Sequence, residues 1–504
     1  MKRIFSHPVT ALAAGLCLRL YFVLRFPANS GDTVLYEQMA VNWLKQGTYA
    51  MEVGGVIQAV DLRMPGYPAY LALVYWLTGR TGEAARLWVM LGQVAVDLLA
   101  CVAIAFFAGA IAFLTGSVRS RRAAIAALWL STICPFIANY TAVPLTEVFA
   151  TALTGTATLF IAVFLSWVIS GLELGIGSPL RGPGMAKFLT KHAGTLAWIT
   201  AGLIAGLATL FRPEGPLILM TVWMMGVAVG IRKRSLTEWL RGVVVSGAAC
   251  GLMLAPWAVR NYVTLHEVQF LAPKNSNLPG ELVPYGFMAW EKTWLFRVRD
   301  CYLVPWKLNG EAIDVEQIPA RAFDTPEEKW RVAMILEAYN EDLTLDQVED
   351  NAFAQLARER TARHPLRTYV WLPALRAMTI WFSPRIELLP VSGTVFPLVQ
   401  SWNDDKVDQG VTVGLFLLNI FYVGLAIWGG WRLWRSGPNA QPAVVFLLLF
   451  IAVRTAFLTT LETPEPRYVL ECFPALIALG AQAAAFPARL YRSRGRISIT
   501  EAGG

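Results

Sequence analysis

Residues 84–114 read AARLWVMLGQVAVDLLACVAIAFFAGAIAFL, a run in which Arg86 and Asp97 are the only charged residues. An α-helix of about 20 mostly apolar residues crosses the hydrocarbon core of a bilayer, so this run is long enough to span one. The whole chain is 56% hydrophobic and only 15% charged, whereas a water-soluble domain carries about 25% charged residues. The run and the composition together predict an integral membrane protein.

Similar apolar runs recur along the chain and give about ten predicted spans. The first follows Lys2 and Arg3, and no small-residue cleavage site precedes Phe26-Pro27, so we expect an uncleaved anchor. The predicted spans are 8–26, 84–114, 123–140, 147–169, 194–211, 213–230, 238–257, 411–430, 442–460 and 467–487.

Two further apolar stretches, 67–78 and 366–383, are short or interrupted by proline and arginine. Their tyrosines and tryptophans suit the depth of the membrane interface, so we expect helices that lie there. If both stretches spanned the bilayer, the count would be twelve. The predicted fold class is therefore an all-α polytopic bundle of about 10–12 transmembrane helices.

The positions of the basic residues predict the orientation, because cytoplasmic loops carry an excess of lysine and arginine. If the N-terminus is cytoplasmic and the sides alternate, every basic cluster falls inside, and the C-terminus is cytoplasmic too. The net charge of +8 therefore points to orientation and anionic lipid in the plasma (inner) membrane rather than to nucleic acid. The clusters are Arg119, Arg121 and Arg122; Arg181, Lys187 and Lys191; Arg232, Lys233 and Arg234; Arg432 and Arg435; and Arg489, Arg492, Arg494 and Arg496.

This orientation divides the chain into three regions. Residues 1–260 form a transmembrane module with a first outer loop at 27–86, and residues 261–410 form an outer loop region. An acidic stretch at 311–363 contains Asp-Thr-Pro-Glu-Glu from Asp324, a helix-start signature, and predicts a small helical insertion. Residues 411–504 supply the last helices and a basic cytoplasmic tail. The cysteines and histidines follow no disulfide or zinc spacing.

Acidic residues and arginines concentrate in the predicted outer segments, mixed with proline and aromatic residues. Arginine binds phosphate bidentately, and a carboxylate can act as a general base on a hydroxyl or an amine. Charged groups near membrane depth are costly, which favours a functional role. The mixture suits an anionic, lipid-linked substrate. The segments are 30–36 and 61–68 in the first loop, then 144–147, 211–216, 256–262 and 462–468.

These segments, taken in order, resemble motifs of the GT-C superfamily of membrane glycosyltransferases, of the protein-mannosyltransferase and aminoarabinose-transferase type. The resemblance extends from about residue 10 to 475. It implies a GT-C-like bundle that moves a sugar from a polyprenyl-phosphate donor to a protein, lipid or glycan on the extracytoplasmic face, with inversion at the anomeric carbon. The matching stretches are GDTVLYEQMA at 31–40, RMPGYP at 63–68, LTE at 145–147, LFRPE at 210–214, PWAVRNY at 256–262 and EPRY at 465–468.

The resemblance also implies roles for individual residues. It places the catalytic base on Asp32 and the second-loop acid on Glu147, and it expects Arg63, Arg260 and Arg467 on the donor phosphate. Many relatives carry two adjacent acids in the first loop, whereas Asp32 stands alone, so no metal ligand is assigned and a divalent cation stays open as a cofactor. Further expected substrate contacts are Tyr36, Asp61, Arg212, Glu214 and Tyr468.

Structural roles compete with several of these assignments. Asp32 could cap a helix that starts at Thr33, and Glu147 could be a first-turn acid favoured by the helix dipole. Arg212 and Glu214 could pair with each other across Pro213. Each of these alternatives is open at the level of sequence.

A second set of charged residues lies at or within the predicted spans. Arg260 and Arg467 sit where helices leave the membrane and could extend their side chains to the interface. Arg19, Asp97 and Arg454 are expected to meet partners inside the bundle, because an unpaired charge at that depth is costly.

The competing function is a multi-pass transporter or a flippase for lipid-linked sugars. Such proteins often show internal repeats and charges at the bilayer midplane. This sequence shows no repeat, and its polar residues gather on one face, which favours the enzyme.

Overall fold

The computed structural model describes residues 7–114, 117, 119–170, 185–233, 236–273, 275, 281–386, 388–396 and 398–485. Regular structure in these residues is almost entirely helical, and the predicted all-α class is confirmed. The helices before the outer loop region are α1 Pro8–Arg25, α2 Gly31–Gln46, α3 Gly66–Thr78, α4 Arg86–Leu114, α5 Ser120–Thr132, α6 Pro135–Ala138, α7 Glu147–Ser170, α8 Met185–Phe211, α9 Pro216–Lys233 and α10 Leu236–Leu265.

The remaining helices comprise the shorter helices of the predicted outer loop region, followed by three helices near the C-terminus. Short 3-10 turns connect several of them, and the last turn, Pro466–Cys472, runs directly into the final helix. These helices are α11 Tyr285–Lys292, α12 Val298–Cys301, α13 Pro326–Asp342, α14 Gln347–Arg363, α15 Leu372–Phe382, α16 Leu398–Asp404, α17 Lys406–Trp434, α18 Gln441–Leu458 and α19 Phe473–Ala485.

Each of the ten predicted spans coincides with a helical segment. Within the described ranges, eight helices are long and apolar enough to cross a membrane, or nine with a pair bent by 49° between Thr132 and Pro135. The tenth, Pro216–Ile231, is shorter. The count falls below ten because Pro135 lacks the N–H that would continue α5 and because the turn at Arg212-Pro213 delays the start of α9. The eight are Pro8–Arg25, Gly82–Leu114, Glu147–Trp167, Gly194–Phe211, Leu236–Leu265, Lys406–Trp434, Gln441–Leu458 and Pro466–Ala485.

Charges inside the bundle are paired, as expected. Arg19 is fully buried and lies 2.5 Å from Asp97. Its guanidinium also donates to the carbonyl of Thr132, at 2.7 Å, where α5 ends and leaves its last carbonyls without helical partners. Arg454 likewise pairs with Glu471 at 2.5 Å. These contacts fix the relative depth of the helices that carry them.

The two predicted interfacial stretches are helical but shorter than the candidate membrane spans. The first is α3, and the second is a π-helical turn, Arg367–Trp371, followed by α15. Between α2 and α3 lies an antiparallel hairpin of β1 Ala50–Val53 and β2 Val56–Ala59. The sequence prediction missed this hairpin, although Gly54 and Gly55, which have φ of 59° and 80°, are typical of a tight hairpin turn.

The segment predicted as an outer insertion, which we call the insertion, is helical and has its own hydrophobic cluster. Thr325 accepts a hydrogen bond from the backbone N–H of Glu328 at 3.2 Å and caps α13 at the predicted helix start. The cluster packs α11 against α14 through Phe287 and Phe353, so it includes residues before 311. The Gly-rich connector 171–184 and the basic tail after 485 lie outside the described residues.

Candidate active site

The start of α2 is anchored to the turn that precedes α7. Thr33 accepts a hydrogen bond from the backbone N–H of Ser30 at 3.1 Å and donates one to the carbonyl of Pro144 at 3.1 Å. The helix begins at Gly31 rather than at Thr33, with Ser30 at the N-cap position. The capping role considered for Asp32 is therefore wrong: Asp32 lies in the first turn, and its carboxylate is free to point elsewhere.

A cavity of about 210 Å³ opens beside this turn, and we call it the first cavity. It collects side chains from the first loop, the start of α7, the α8–α9 turn and the segment before α19. The hydrophobic part of its wall, including Leu62, Met64, Ala272 and Pro273, was not predicted. All ten predicted site residues are described, and eight of them line the first cavity: Asp32, Tyr36, Arg63, Glu147, Arg212, Glu214, Arg467 and Tyr468.

Asp32 pairs with Arg63, which belongs to a distant part of the same loop. The two side chains approach to 2.7 Å, and each is about a quarter exposed (28% and 21%). Burial opposes ionisation of Asp32, but Arg63, with Arg467 and Arg212, outweighs it and holds the pKa of Asp32 below its ordinary value. Asp32 is thus a carboxylate at neutral pH, able to accept a proton. Burial, reinforced by Asp32, raises the pKa of the neighbouring Tyr36 to about 12.

Arg212 lies at the centre of a second group of charges. Its guanidinium is 3.4 Å from Glu147, 3.4 Å from Glu214 and 3.7 Å from Glu471. It also lies over the ring of Tyr468, 5.2 Å from the ring centroid. The predicted pairing of Arg212 with Glu214 exists, but both side chains also line the first cavity.

Arg467 and Glu147 complete the polar wall. Arg467 lies 3.6 Å from Oε1 of Glu147 and 2.6 Å from Glu465, which in turn accepts a hydrogen bond from the hydroxyl of Tyr468 at 2.8 Å. The other carboxylate oxygen of Glu147, Oε2, is buried and has no hydrogen-bond partner among the described residues. An unpaired buried carboxylate oxygen is costly, so Glu147 is more than a solvated first-turn acid.

Glu471 supports this group from inside the bundle. Arg454 donates to one of its oxygens at 2.5 Å, and Thr154 donates to the other at 2.8 Å. Because Glu471 also approaches Arg212, the buried pair helps to fix the guanidinium at the floor of the cavity. The sequence prediction missed Glu471, although a glutamate within an apolar run was itself the signal that could have found it.

Arg260 and Asp61 do not line the first cavity. The guanidinium of Arg260 donates to the carbonyls of Val60, at 2.7 Å, and Tyr49. These bonds attach the β-hairpin to α10 and use the guanidinium that was expected on the donor phosphate. Asp61 lies beside the hairpin, where burial raises its pKa.

A close approach between Gly66 and the end of α8 sets the position of Arg212. A Cβ atom on Gly66 would lie 2.6 Å from the carbonyl oxygen of Leu210 and 2.8 Å from the ring of Phe211. Only glycine allows these two motifs to meet at this distance. The RMPGYP and LFRPE motifs are therefore neighbours because of Gly66.

The first cavity brings several carboxylates together, and carboxylate is a common metal ligand. No group of three or more His, Cys, Asp or Glu side chains with suitable spacing for a metal ion occurs in the described part of the chain. The carboxylates of the first cavity face arginines, and arginine binds both carboxylates and phosphates bidentately.

Comparisons with known proteins give matches among solved structures. No family model and no curated protein sequence matches the chain. The archaeal oligosaccharyltransferase AglB from Archaeoglobus fulgidus, in complex with an inhibitory peptide and a dolichol-phosphate, is 13% identical with a TM-score of 0.46; the match covers 95% of this chain and 50% of AglB. The chain therefore spans about half the length of AglB.

A second match among solved structures is ArnT from Cupriavidus metallidurans. Its apo structure is 14% identical with a TM-score of 0.35, and the match covers 95% of this chain and 77% of ArnT. Its structure bound to undecaprenyl phosphate is 13% identical with a TM-score of 0.33, covering 94% and 77% of the two chains. These matches extend over almost the whole of this chain at 13–14% sequence identity.

Proposed function

We propose that this chain is a membrane glycosyltransferase that moves a sugar from a polyprenyl-phosphate donor to an acceptor on the extracytoplasmic face of the plasma membrane. The first cavity is the site of transfer, and Asp32 is the general base. The observation that carries the proposal is the convergence of Asp32 and Glu147 with three arginines in one cavity at the end of the bundle.

The donor phosphate binds to Arg63, Arg212 and Arg467. In the free protein each of these guanidiniums pairs with a carboxylate at 2.6–3.4 Å, and the phosphate oxygens share the guanidiniums with these carboxylates. Bidentate contacts from arginine suit a phosphate diester, whose two free oxygens carry the negative charge. The polyprenyl tail leaves the cavity toward the apolar helices.

In the transfer step, an acceptor hydroxyl or amine attacks the anomeric carbon while its proton passes to the carboxylate of Asp32. The new bond joins the acceptor atom to the anomeric carbon. The bond from that carbon to the phosphate oxygen breaks, and its electron pair leaves with the polyprenyl phosphate. Attack opposite the leaving group inverts the configuration. The arginines stabilise the charge that develops on the leaving phosphate, and Asp32 is poised because it is already ionised.

Glu147 has a separate part in this scheme. Its unpaired Oε2 atom offers an acceptor for a hydroxyl group of the sugar or for the attacking group. Its other oxygen faces Arg212 and Arg467 and keeps both guanidiniums directed into the cavity. We assign it a role in orientation rather than in proton transfer.

The test uses a strain that lacks the gene, complemented with the wild-type chain, with Asp32→Asn, or with Glu52→Gln as an exposed acidic control on β1. Mass spectrometry follows polyprenyl-phosphate sugars and the sugars of surface lipids, proteins and glycans. We expect the Asp32→Asn strain to accumulate one polyprenyl-phosphate sugar and to lose that sugar from one acceptor, and the control to match the wild type.

Two results would contradict the proposal. Full transfer by an Asp32→Asn protein that inserts normally would remove Asp32 as the base. Movement of an intact lipid-linked sugar across reconstituted vesicles, without any change in covalent structure, would instead identify a flippase.

A further inference from the structure

A second cavity lies on the other side of the segment that carries Arg467. It has a volume of about 660 Å³, and its wall combines the α12 region of the insertion, the end of α15 and the loop at 392–396. Pro466 lines this second cavity, whereas the next two residues, Arg467 and Tyr468, line the first. The two cavities are therefore separated by a single stretch of backbone.

Three arginines line the second cavity, and of these Arg385 is buried. Arg297 and Arg299 are both exposed, and the described residues provide no ion pair to either of them. The nearby acid Asp300 is buried and pairs with Arg321 instead. The rest of the wall, including Val298, Leu303 and Phe396, is largely apolar. The cavity thus combines surplus positive charge with an apolar lining.

A separate groove lies between α17, α18 and α19 and is also lined by the end of α15, and we call it the apolar groove. Its volume is about 470 Å³, and its wall is formed by aliphatic and tryptophan side chains. On α17 it extends from Val423 to Trp434, a distance of about 16 Å at 1.5 Å per residue. That length suits an extended hydrocarbon chain.

Helix α15 joins the cavity to the groove. Thr379 and Ser383 line the second cavity, while Trp381 and Phe382 line the end of the groove. Trp381 is held there by a hydrogen bond to Thr455 of α18, at 2.9 Å. The last turn of α15 therefore has hydroxyl side chains on the side of the second cavity and aromatic side chains on the side of the apolar groove. A lipid with its headgroup in the cavity and an acyl chain in the groove would have its polar–apolar boundary at this turn.

We propose that the second cavity and the apolar groove together bind a phosphate-bearing membrane lipid and that this lipid is the acceptor of the sugar. Arg297 and Arg299 bind its headgroup, and an acyl chain occupies the groove. The headgroup then lies beside Pro466, next to the wall of the first cavity. The acceptor role rests on the transfer proposed above, whereas the binding of the lipid does not.

The binding test is native mass spectrometry of the full-length protein titrated with dioleoyl phosphatidylglycerol, and with dioleoyl phosphatidylcholine, whose headgroup has no net charge. We expect Arg297→Gln with Arg299→Gln to weaken retention of phosphatidylglycerol about tenfold, the size of two exposed contacts to a phosphate. Arg358→Gln, at an exposed arginine of α14, is the matched control and leaves retention unchanged.

The groove is tested separately. Gly430 lines it, and a Cβ atom there would make only ordinary contact with Leu479, at 3.6 Å, so Gly430→Leu fills part of the groove without disrupting the helix pair. Gly424 of the same helix is exposed, with no described atom within 4 Å of its Cβ position, and Gly424→Leu is the control. We expect Gly430→Leu to lower retention of both lipids about tenfold and Gly424→Leu to have no effect.

Three outcomes would overturn the proposal. Retention of phosphatidylglycerol that is equal in all variants would mean that no such site exists. Parallel loss of undecaprenyl phosphate in the arginine and Gly430 variants would assign the site to the donor. Unchanged modification of lipids in cells carrying the double arginine variant would remove the acceptor role.

The tests of lipid binding and of sugar transfer can give negative results independently of each other. If the chain is not a glycosyltransferase, the Asp32→Asn strain accumulates no donor, but the binding results stand. If the chain is a glycosyltransferase with another acceptor, the Asp32→Asn strain accumulates donor while the double arginine variant behaves as the wild type in cells.

Discussion

Arg63 and Asp32 lie 31 positions apart in the sequence, and their side chains meet at 2.7 Å in the wall of the first cavity. In the free protein, the proposed base is therefore paired with a proposed phosphate-binding group. A donor phosphate that attracts Arg63 weakens its hold on Asp32 and makes the carboxylate a stronger base. Through this one contact, binding of the donor phosphate is linked to the basicity of the Asp32 carboxylate.

The first prediction concerns Arg63→Gln and pH. Asp32 must be ionised to accept a proton, and its pKa is held below the ordinary value mainly by Arg63 acting against burial. Activity is therefore retained above the pKa of Asp32 in the folded protein and is lost as the pH falls through it. Removing Arg63 raises that pKa, so the acidic limb of a profile of kcat/KM against pH moves to higher pH. Arg63→Lys keeps the charge and moves the limb less. An acidic limb that is unchanged in Arg63→Gln would show that Asp32 does not titrate in the reaction.

The second prediction separates binding of the phosphate from chemistry at Arg467. Arg467→Gln removes one charged contact to the donor, and such contacts contribute about 1.5–3 kcal/mol. The KM for the donor then rises by roughly 10- to 150-fold, and Arg467→Lys recovers part of the loss. Initial rates over a range of donor concentrations provide the measurement, and the exposed Arg80→Gln variant is the control. A donor KM equal to that of the wild type would remove Arg467 from the phosphate site.

The third prediction uses the contact between Gly66 and α8. In Gly66→Ala, the new Cβ atom collides with the backbone oxygen of Leu210, and backbone cannot move aside as a flexible side chain can. Overpacking of this kind costs about 1–3 kcal/mol, and the shift displaces Arg212, two residues further on. We expect a lower melting temperature and at least a tenfold loss of transfer. Gly251→Ala, where no described atom lies within 4 Å, retains both stability and activity.

The fourth prediction concerns the stability of the insertion. Arg360 is fully buried and donates to Glu328 and to Thr293, each at 2.8 Å. Arg360→Leu leaves the buried carboxylate of Glu328 without its main partner, which costs about 3–5 kcal/mol. Limited proteolysis is expected to cut within α13 and α14 at much lower protease concentrations than in the wild type. The exposed Arg358→Leu serves as the control, and the double variant Arg360→Leu with Glu328→Leu regains most of the resistance because no unpaired charge remains.

Features that depend on residues close together in the sequence could be predicted, whereas features that depend on tertiary contacts could not. The runs of apolar residues mark their own helices, so ten segments could be placed without tertiary information. Asp32, Glu147 and Arg212 lie at the ends of such runs, and once orientation is assigned they must share one face of the membrane. Their convergence on one cavity could therefore be anticipated, although the pairing of Asp32 with Arg63 could not.

The features that were missed depend on packing between distant residues. Arg260 looks like any arginine at a helix end, and its bonds to Tyr49 and Val60 exist only because α10 passes beside the hairpin. Glu471 is buried in the turn before α19, and its partner Arg454 comes from α18. No local pattern encodes which helices are neighbours, because side-chain packing across the whole bundle decides this.

The buried side chain of Arg385 has a consequence for how the two cavities communicate. It lines the second cavity and donates to the carbonyl of Pro466 at 2.7 Å, and its own backbone has a φ of 57°, which is uncommon for a residue with a side chain. A molecule that draws this guanidinium away releases the peptide immediately before Arg467. Occupancy of either cavity then alters affinity at the other, and by thermodynamic linkage the effect has the same size in both directions. Under the two proposals above, the donor and the acceptor lipid would bind cooperatively, which limits loss of the donor to water when no acceptor is present.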